Sequence, residues 1–320
     1  MKTEQHLPTP TRKGTALRLV STTNLDREQW LTVRKGGIGS SDAAAAVGLN
    51  PYKSQLALWL EKTGRDAAKP QIDPNDDSTP AFWGTILEPI VATQYSKLNA
   101  VLQHSDPDLR WMMANLDREV VGSAEVQILE CKTAGINGAR LWKDGVPEYV
   151  QLQVMHQLAV TGKQAADIAV LIGGQELEIH RIERDEKMIA NLIELERRFW
   201  QYVVDDTPPP ADGSDSADQA LRCLYPQDNG RTLDLSGNPA LNVAYVELKA
   251  LKQTISKQQQ RESELKQLLQ QAMGDVSRAT FAGGQITWKR SKDSTVLDTD
   301  RLLNDNPDLK ARYSKVKEGS

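Results

Sequence analysis

Residues 126–134 read VQILECKTA, and residues 111–122 before them read WMMANLDREVVG. Both are short runs rich in strand formers, separated by a turn at Gly122-Ser123. The side-chain period of a strand is two, so Glu130 and Lys132 point to the same face, continuing from Ile128. A carboxylate and an ammonium that continue a buried face must pair, bind a metal, or stand at an open cleft. If the two strands pair as a hairpin about Gly122-Ser123, Asp117 lies beside Glu130. Two carboxylates at hydrogen-bonding range repel unless a cation sits between them. Oxygen ligands without a histidine partner favour Mg²⁺ or Mn²⁺ over Zn²⁺. A neighbouring Lys132 is then placed to orient a water and to offset charge developing on a phosphate. The competing reading is a structural Asp–Lys or Glu–Lys pair at a strand end. The acid-x-lysine tripeptide alone decides little. It recurs at Asp185/Lys187, Glu247/Lys249, Glu264/Lys266 and Asp308/Lys310, mostly in predicted helices where such spacing is ordinary surface charge.

Upstream, Arg34 precedes GIGSSD at 37–42, where Ser40, Ser41 and Asp42 occupy a predicted helix start. Backbone N–H groups and the Ser41 hydroxyl can hold a phosphate there with Arg34. The alternative is an ordinary serine cap. The helix before it is expected to start from Asn24, and another to run from a Ser54 cap to Gly64. AFWGTILEPIVATQYSKL (81–98) reads as an amphipathic helix with Glu88 mid-helix and Pro89 after it, where the ring clashes with the helical backbone. Glu88 is either a site residue or part of a solvated face. Downstream, EYVQLQVMHQLAVTG (148–162) is helical, AADIAVLIGG (165–174) is an apolar strand closed by glycines, and ELEIHRIE (176–183) alternates as its partner. DEKMIANLIELERRFWQYVV (185–204) is an amphipathic helix. His156 is read as structural, and Cys131, on the opposite strand face from its neighbours, as a small core residue.

The chain has 320 residues, 39% apolar and 26% charged, enough for one large domain or two smaller ones. No run approaches the roughly 18 apolar residues of a membrane span, and the N-terminal stretch MKTEQHLPTPTRKG has no apolar core of a signal peptide. Cys131 and Cys223 cannot build a disulfide framework or a four-cysteine metal site. A cytoplasmic location follows as the default. The net charge of −4 excludes a surface basic all over, though not a local basic channel. No GxxxxGK[ST] loop is present, so ATP-driven translocation is not expected.

Four regions are expected. Residues 1–22 form a polar, mobile tail, 23–205 a core, 206–238 an Asp-, Pro-, Gly- and Ser-rich linker, and 239–320 an extension. The extension opens with a long helix whose apolar positions 244, 248, 251, 255, 265 and 269 follow a coiled-coil spacing, interrupted by Gln258 and Glu262. A hairpin turning at Gly283-Gly284 comes after it.

Taken in order, R-x-G-x-I-x-x-S-D (34–42), G-x-x-x-E-P (84–89), Asp117 with E-x-K (130–132) and Y-x-Q-x-Q (149–153) resemble the YqaJ/lambda-exonuclease group of phage recombination nucleases. The resemblance covers roughly residues 25–205. It implies the PD-(D/E)xK core, an α/β fold of restriction-endonuclease type with a mixed sheet flanked by helices. It implies that Asp117, Glu130 and the Cys131 carbonyl hold Mg²⁺, with Mn²⁺ as a substitute. Lys132 would be the catalytic lysine, Glu88 would line the metal site, and Gln151, with Gln153 as second choice, would reach it from the next helix. Arg34 and Ser41 would hold the 5′-phosphate. The implied activity is 5′→3′ exonuclease digestion of double-stranded DNA from free ends in a bacterial host. Its implied partners are two further copies in a homotrimer and a single-strand annealing recombinase. The alternatives are an endonuclease with this core and a non-catalytic DNA-end-binding module. Two features depart from the family pattern: Arg118 stands where many relatives have glycine, and the core does not require the extension after about residue 240.

Overall fold

A computed structural model describes residues 16–20, 25–67, 73, 76–95, 102–105 and 109–313. The chain divides into two compact units, Met1–Asn229 and Gly230–Ser320. Among the described residues no helix is long and apolar enough to cross a membrane.

The first unit begins with β1 (Leu17–Val20), α1 (Arg27–Lys35) and β2 (Ile38–Gly39). A 3₁₀ turn (Ser40–Asp42) leads into α2 (Ala43–Ala46), and α3 (Gln55–Thr63) and α4 (Pro80–Tyr95) follow. Next come β3 (Leu102–Ser105), β4 (Met112–Leu116), β5 (Arg118–Glu119) and β6 (Ile128–Ala134). The unit closes with α5 (Glu148–Thr161), β7 (Ala165–Ile172), β8 (Glu176–Glu183), α6 (Glu186–Val204) and α7 (Asp215–Leu224).

The strands form two four-stranded sheets, in the orders β1-β3-β4-β2 and β5-β6-β7-β8. β4 and β5 are one extended run, and Asp117 is the single residue at which the chain passes from the first sheet to the second. β6 and β7 are parallel, with α5 as the crossover between them. β7 is a continuous apolar run because both faces of this pair are covered. Ile128, Ile168 and Val170 pack with Leu158 of α5 and Leu192 of α6, whereas Leu129, Cys131 and Ala169 pack on Val91 and Ala92 of α4. The second strand face thus ends at Cys131 in a small apolar cluster, as its alternation predicts.

Local chemistry sets most boundaries where they are expected. Ser54 caps α3 by accepting the Ala57 N–H, and Gly64 ends the helix at φ 72°, a left-handed conformation that costs glycine least. Gly173 and Gly174, at φ 59° and 74°, turn β7 into β8.

Several boundaries differ from the sequence reading. The cap of α1 is Asp26, not Asn24, because Asp26 and Gln29 form a reciprocal capping box. The segment expected as a mobile tail overlaps β1, which pairs antiparallel with β3; residues 1–15 lie outside the described set. The segment read as a linker contains α7. Ala217 and Ala220 of this helix are buried, and Ser216 accepts the Ser54 N–H at 3.0 Å, so its apolar stripe docks on α3.

The second unit holds α8 (Pro239–Met273), the hairpin β9 (Arg278–Phe281) and β10 (Gly284–Thr287), then α9 (Thr299–Asp305) and α10 (Pro307–Tyr313). Asn238 caps α8. Gly284 pairs with Phe281, so the hairpin turns at Ala282-Gly283, one residue earlier than expected.

Candidate active site

The β5–β6 pairing decides which carboxylates meet. Arg118 lies opposite Leu129, so Asp117 lies one step further along, at the level of Glu130. The Cys131 N–H donates to Asp117 Oδ2 at 2.8 Å, which holds the aspartate against β6. Glu130, 2% exposed, is surrounded by donors. Its Oε1 accepts from Lys132 Nζ and from Gln153 Nε2, both at 2.5 Å, and its Oε2 accepts from Gln157 Nε2 at 2.7 Å. Lys132 Nζ also donates to Gln153 Oε1 at 3.0 Å.

This crowding changes the acidities. Burial and then the Glu130 charge push the Asp117 carboxyl up to about 8, against the opposing pull of Lys132 and the Cys131 N–H. Burial alone lowers the Lys132 ammonium, but the Glu130 and Asp117 charges outweigh it and hold the pKa above the ordinary value. Burial and the adjacent carboxylates push the Cys131 thiol far up, so it stays a neutral thiol. Glu88, on α4, pairs with Arg118 Nη1 at 2.9 Å, and its charge contributes to the rise at Asp117. Arg118 therefore bridges Glu88 and the Asp117 carbonyl, at 2.5 Å to the latter.

Gln151 is not part of this cluster. Its Nε2 donates to the Val146 carbonyl at 2.7 Å, securing the loop before α5. Gln153 and Gln157 make the contacts instead, because residues four apart share a helix face whereas Gln151 is two positions off it. Gln157 was missed in the sequence. The available signal was a glutamine four residues after Gln153, among apolar neighbours on the same predicted helix.

Arg34 and Ser41 form the second cluster. Arg34 Nη2 donates to Ser41 Oγ at 2.9 Å and to Asp42 Oδ1 at 2.8 Å. Asp42 is buried, and Lys62 Nζ donates to its other oxygen at 2.7 Å. Burial raises the Asp42 pKa, but Arg34, Lys62 and Lys53 together overcome it and hold the carboxyl well below the usual range. Lys62, buried in turn, is pulled below its ordinary value. Asp42 is thus a permanent anion that fixes the guanidinium. The indole of Trp30 supports Arg34 from below, 4.8 Å from ring centroid to guanidinium carbon. Gly37 lets this segment approach β4: a Cβ there would lie 2.3 Å from the Trp111 carbonyl oxygen.

The two clusters share one cavity of about 120 Å³, whose lining includes Trp30, Arg34, Ser41, Asn115, Asp117 and Gln153. Asn115 Oδ1 is buried and has no hydrogen-bond partner among the described residues. The cavity thus brings one guanidinium, Arg34, and one carboxylate, Asp117, to the same small space with the amides of Asn115 and Gln153, whereas Glu130 and Lys132 are not among its lining residues.

Residues 29–164 match the YqaJ-like viral recombinase domain. The chain is 33% identical over 312 residues to the uncharacterized protein YqaJ of Bacillus subtilis (strain 168), covering 93% of each. Among solved structures it is similar to an alkaline exonuclease, LHK-Exo, from Laribacter hongkongensis, with a TM-score of 0.47 and 21% identity over 56% of this chain and 93% of that one. The same protein in complex with dAMP gives a TM-score of 0.46 at 22% identity, with the same coverage. With nearly its whole length aligned to a relative of that name, the chain belongs to the YqaJ-like viral recombinase family.

Proposed function

We propose that the protein is a divalent-metal-dependent deoxyribonuclease that degrades linear double-stranded DNA from 5′ ends, leaving a 3′ strand for annealing-type recombination. The observation that carries this reading is the shared cavity, in which Arg34 and Ser41 face the Asp117 side of the carboxylate cluster. A phosphate held by Arg34 sets the end of a strand, and a phosphodiester further along meets Asp117 and Lys132.

The donor set suits Mg²⁺ or Mn²⁺. Asp117 and Glu130 supply carboxylate oxygens. The Cys131 N–H points to Asp117, and the carbonyl of the same strand residue shares that edge. Among the described residues no group of three or more His, Cys, Asp or Glu side chains is arranged to hold a metal. Two carboxylates and a backbone oxygen are what remain, which suits an ion that keeps several waters and takes phosphate oxygens as ligands. Burial, and then the Glu130 charge, raise the Asp117 pKa, a penalty that a bound cation would relieve. When bound, the ion would activate water and polarise the phosphate. Lys132 would orient the attacking water and stabilise charge developing on the phosphate, with Gln153 holding its ammonium in place. Glu88 would act through Arg118 at the margin of the site.

The test uses linear duplex labelled at each end in turn. Wild-type protein is expected to release label progressively from 5′ ends with Mg²⁺ and not with EDTA, and Lys132→Ala to lose the activity. Arg34→Ala is expected to lose most of the preference for 5′-phosphorylated over 5′-hydroxyl ends. Cutting of closed circles would point to an endonuclease, and end binding unaffected by Lys132→Ala, without digestion, to a binding module. The homotrimer and the annealing partner belong to the same proposal; a monomer mass in light scattering with activity intact would remove the ring.

A further inference from the structure

Arg118 lies opposite Leu129, on the strand face that packs against Val91 and Ala92 of α4. Glu88 precedes Ala92 by one turn of that helix, and the two side chains meet there. Arg118 Nη1 donates to Glu88 Oε1 at 2.9 Å and to the Asp117 carbonyl at 2.5 Å, so the guanidinium is fastened to the peptide of Asp117 itself. The pair is partly shielded, with Arg118 15% and Glu88 35% exposed. Among the described residues no hydrogen bond joins the Glu88 side chain to Asp117 or Glu130, yet its charge raises the pKa of both Asp117 and Cys131. Glu88 is therefore a third carboxylate within electrostatic reach of the site, engaged elsewhere.

We propose that Arg118 is a positioning residue that competes with the divalent ion for Glu88. The guanidinium holds the third carboxylate to itself, and the ion gains Glu88 as a partner by breaking that pair. The charges favour such an exchange. Fully ionised, Asp117, Glu130 and Glu88 outnumber Lys132 and Arg118 by one. A dication added to all five leaves positive charge in excess, whereas without the guanidinium it balances them. Breaking the pair has a cost, because a partly buried cation that loses its carboxylate is left without that partner. The strength of the Arg118–Glu88 pair thus sets how tightly the ion is held. This inference rests on the metal site proposed above and adds a residue that weakens it.

The test is Mn²⁺ binding to the full chain without DNA, read from the electron paramagnetic resonance signal of the free ion. Arg118→Met is expected to tighten the binding that depends on Asp117 about tenfold, the scale on which neighbours of metal ligands act. Arg118→Lys keeps the charge but loses the planar fork, and is expected to fall between wild type and Arg118→Met. It carries the test if circular dichroism shows Arg118→Met to be unfolded. In a Glu88→Gln background, Arg118→Met is expected to shift the dissociation constant only about twofold, the effect of removing a nearby, partly exposed charge. An equal shift in both backgrounds would show simple repulsion of the ion by Arg118 and overturn the competition. So would binding that depends on Asp117 and ignores every change at Arg118. Binding left unchanged by Asp117→Asn, or absent from every variant, would instead remove the metal site itself and the competition with it.

Discussion

At Asp117 the cost of placing two carboxylates together is visible in one residue. Its carboxyl keeps its proton up to about pH 8 because burial and Glu130 both oppose ionisation. A divalent cation bound there must displace that proton. Apparent Mg²⁺ affinity is therefore expected to rise with pH up to about 8 and to level off above it, with proton release on binding. Calorimetry at pH 7 in two buffers of different ionisation enthalpy would detect the release. Equal heats, and an affinity flat between pH 6 and 8, would place the metal away from Asp117. Arg34 depends on the opposite situation. Its partner Asp42 stays ionised at every ordinary pH because three cations surround it, so the proposed phosphate subsite would hold its charge where the carboxylate pair does not.

At the scale of elements, α5 organises the site from one face and the core from the rest. Gln153 and Gln157 reach β6, and His156 between them turns away to join α6 and β4. Its Nδ1 lies 2.7 Å from Glu196 Oε1 and its Nε2 lies 2.9 Å from the Met113 carbonyl. The Met113 carbonyl can only accept, so Nε2 carries a proton, and Nδ1 shares a proton with the Glu196 carboxyl, an arrangement that favours the protonated ring. Burial opposes this, but the Glu196 charge outweighs it and raises the His156 pKa. A raised histidine pKa adds stability that is fully present below the unfolded value of about 6.5 and is lost as pH rises through the folded value. Glu196→Gln is expected to cost about 3–5 kcal/mol, as removal of one partner from a buried pair does. It should also flatten the loss of stability above pH 6.5. Urea unfolding at pH 6 and pH 9 measures both; a variant with the wild-type pH dependence would show that His156 is neutral.

On the scale of the whole molecule, charge and topology act together. With a net charge of −4, the proposed attraction to DNA would rest on local cations such as Arg34 at the cavity and not on the surface at large. Affinity for duplex ends is expected to fall linearly in log–log form between about 50 and 200 mM salt, with a slope about one unit shallower in Arg34→Ala. Fluorescence anisotropy with a labelled duplex gives both slopes. An affinity independent of salt would exclude phosphate neutralisation as its source. The cavity itself exists because the chain leaves one sheet and enters the other at Asp117, carrying the β4 residues Met113 and Asn115 to the same space.

Period-two and period-3.6 patterns were enough to put Glu130 and Lys132 on one face, Cys131 on the other, and α3 between Ser54 and Gly64. They carry this information because they depend on neighbours a few residues away. The partner of each polar group depends on packing at long separation, and there the local pattern is silent. Asp42 is held by Lys62 from another helix, Glu130 by Gln157 from the crossover helix, and Glu88 by Arg118 from a strand. Choosing Gln153 over Gln151 required knowing which face of α5 meets β6, since both lie on a helix buried nearly all round. The motifs in order were legible along the chain as the signature of the YqaJ-like family. Folding brought Arg34 and Ser41 of the first motif, Asp117, and Gln153 of the last to the lining of one cavity of about 120 Å³.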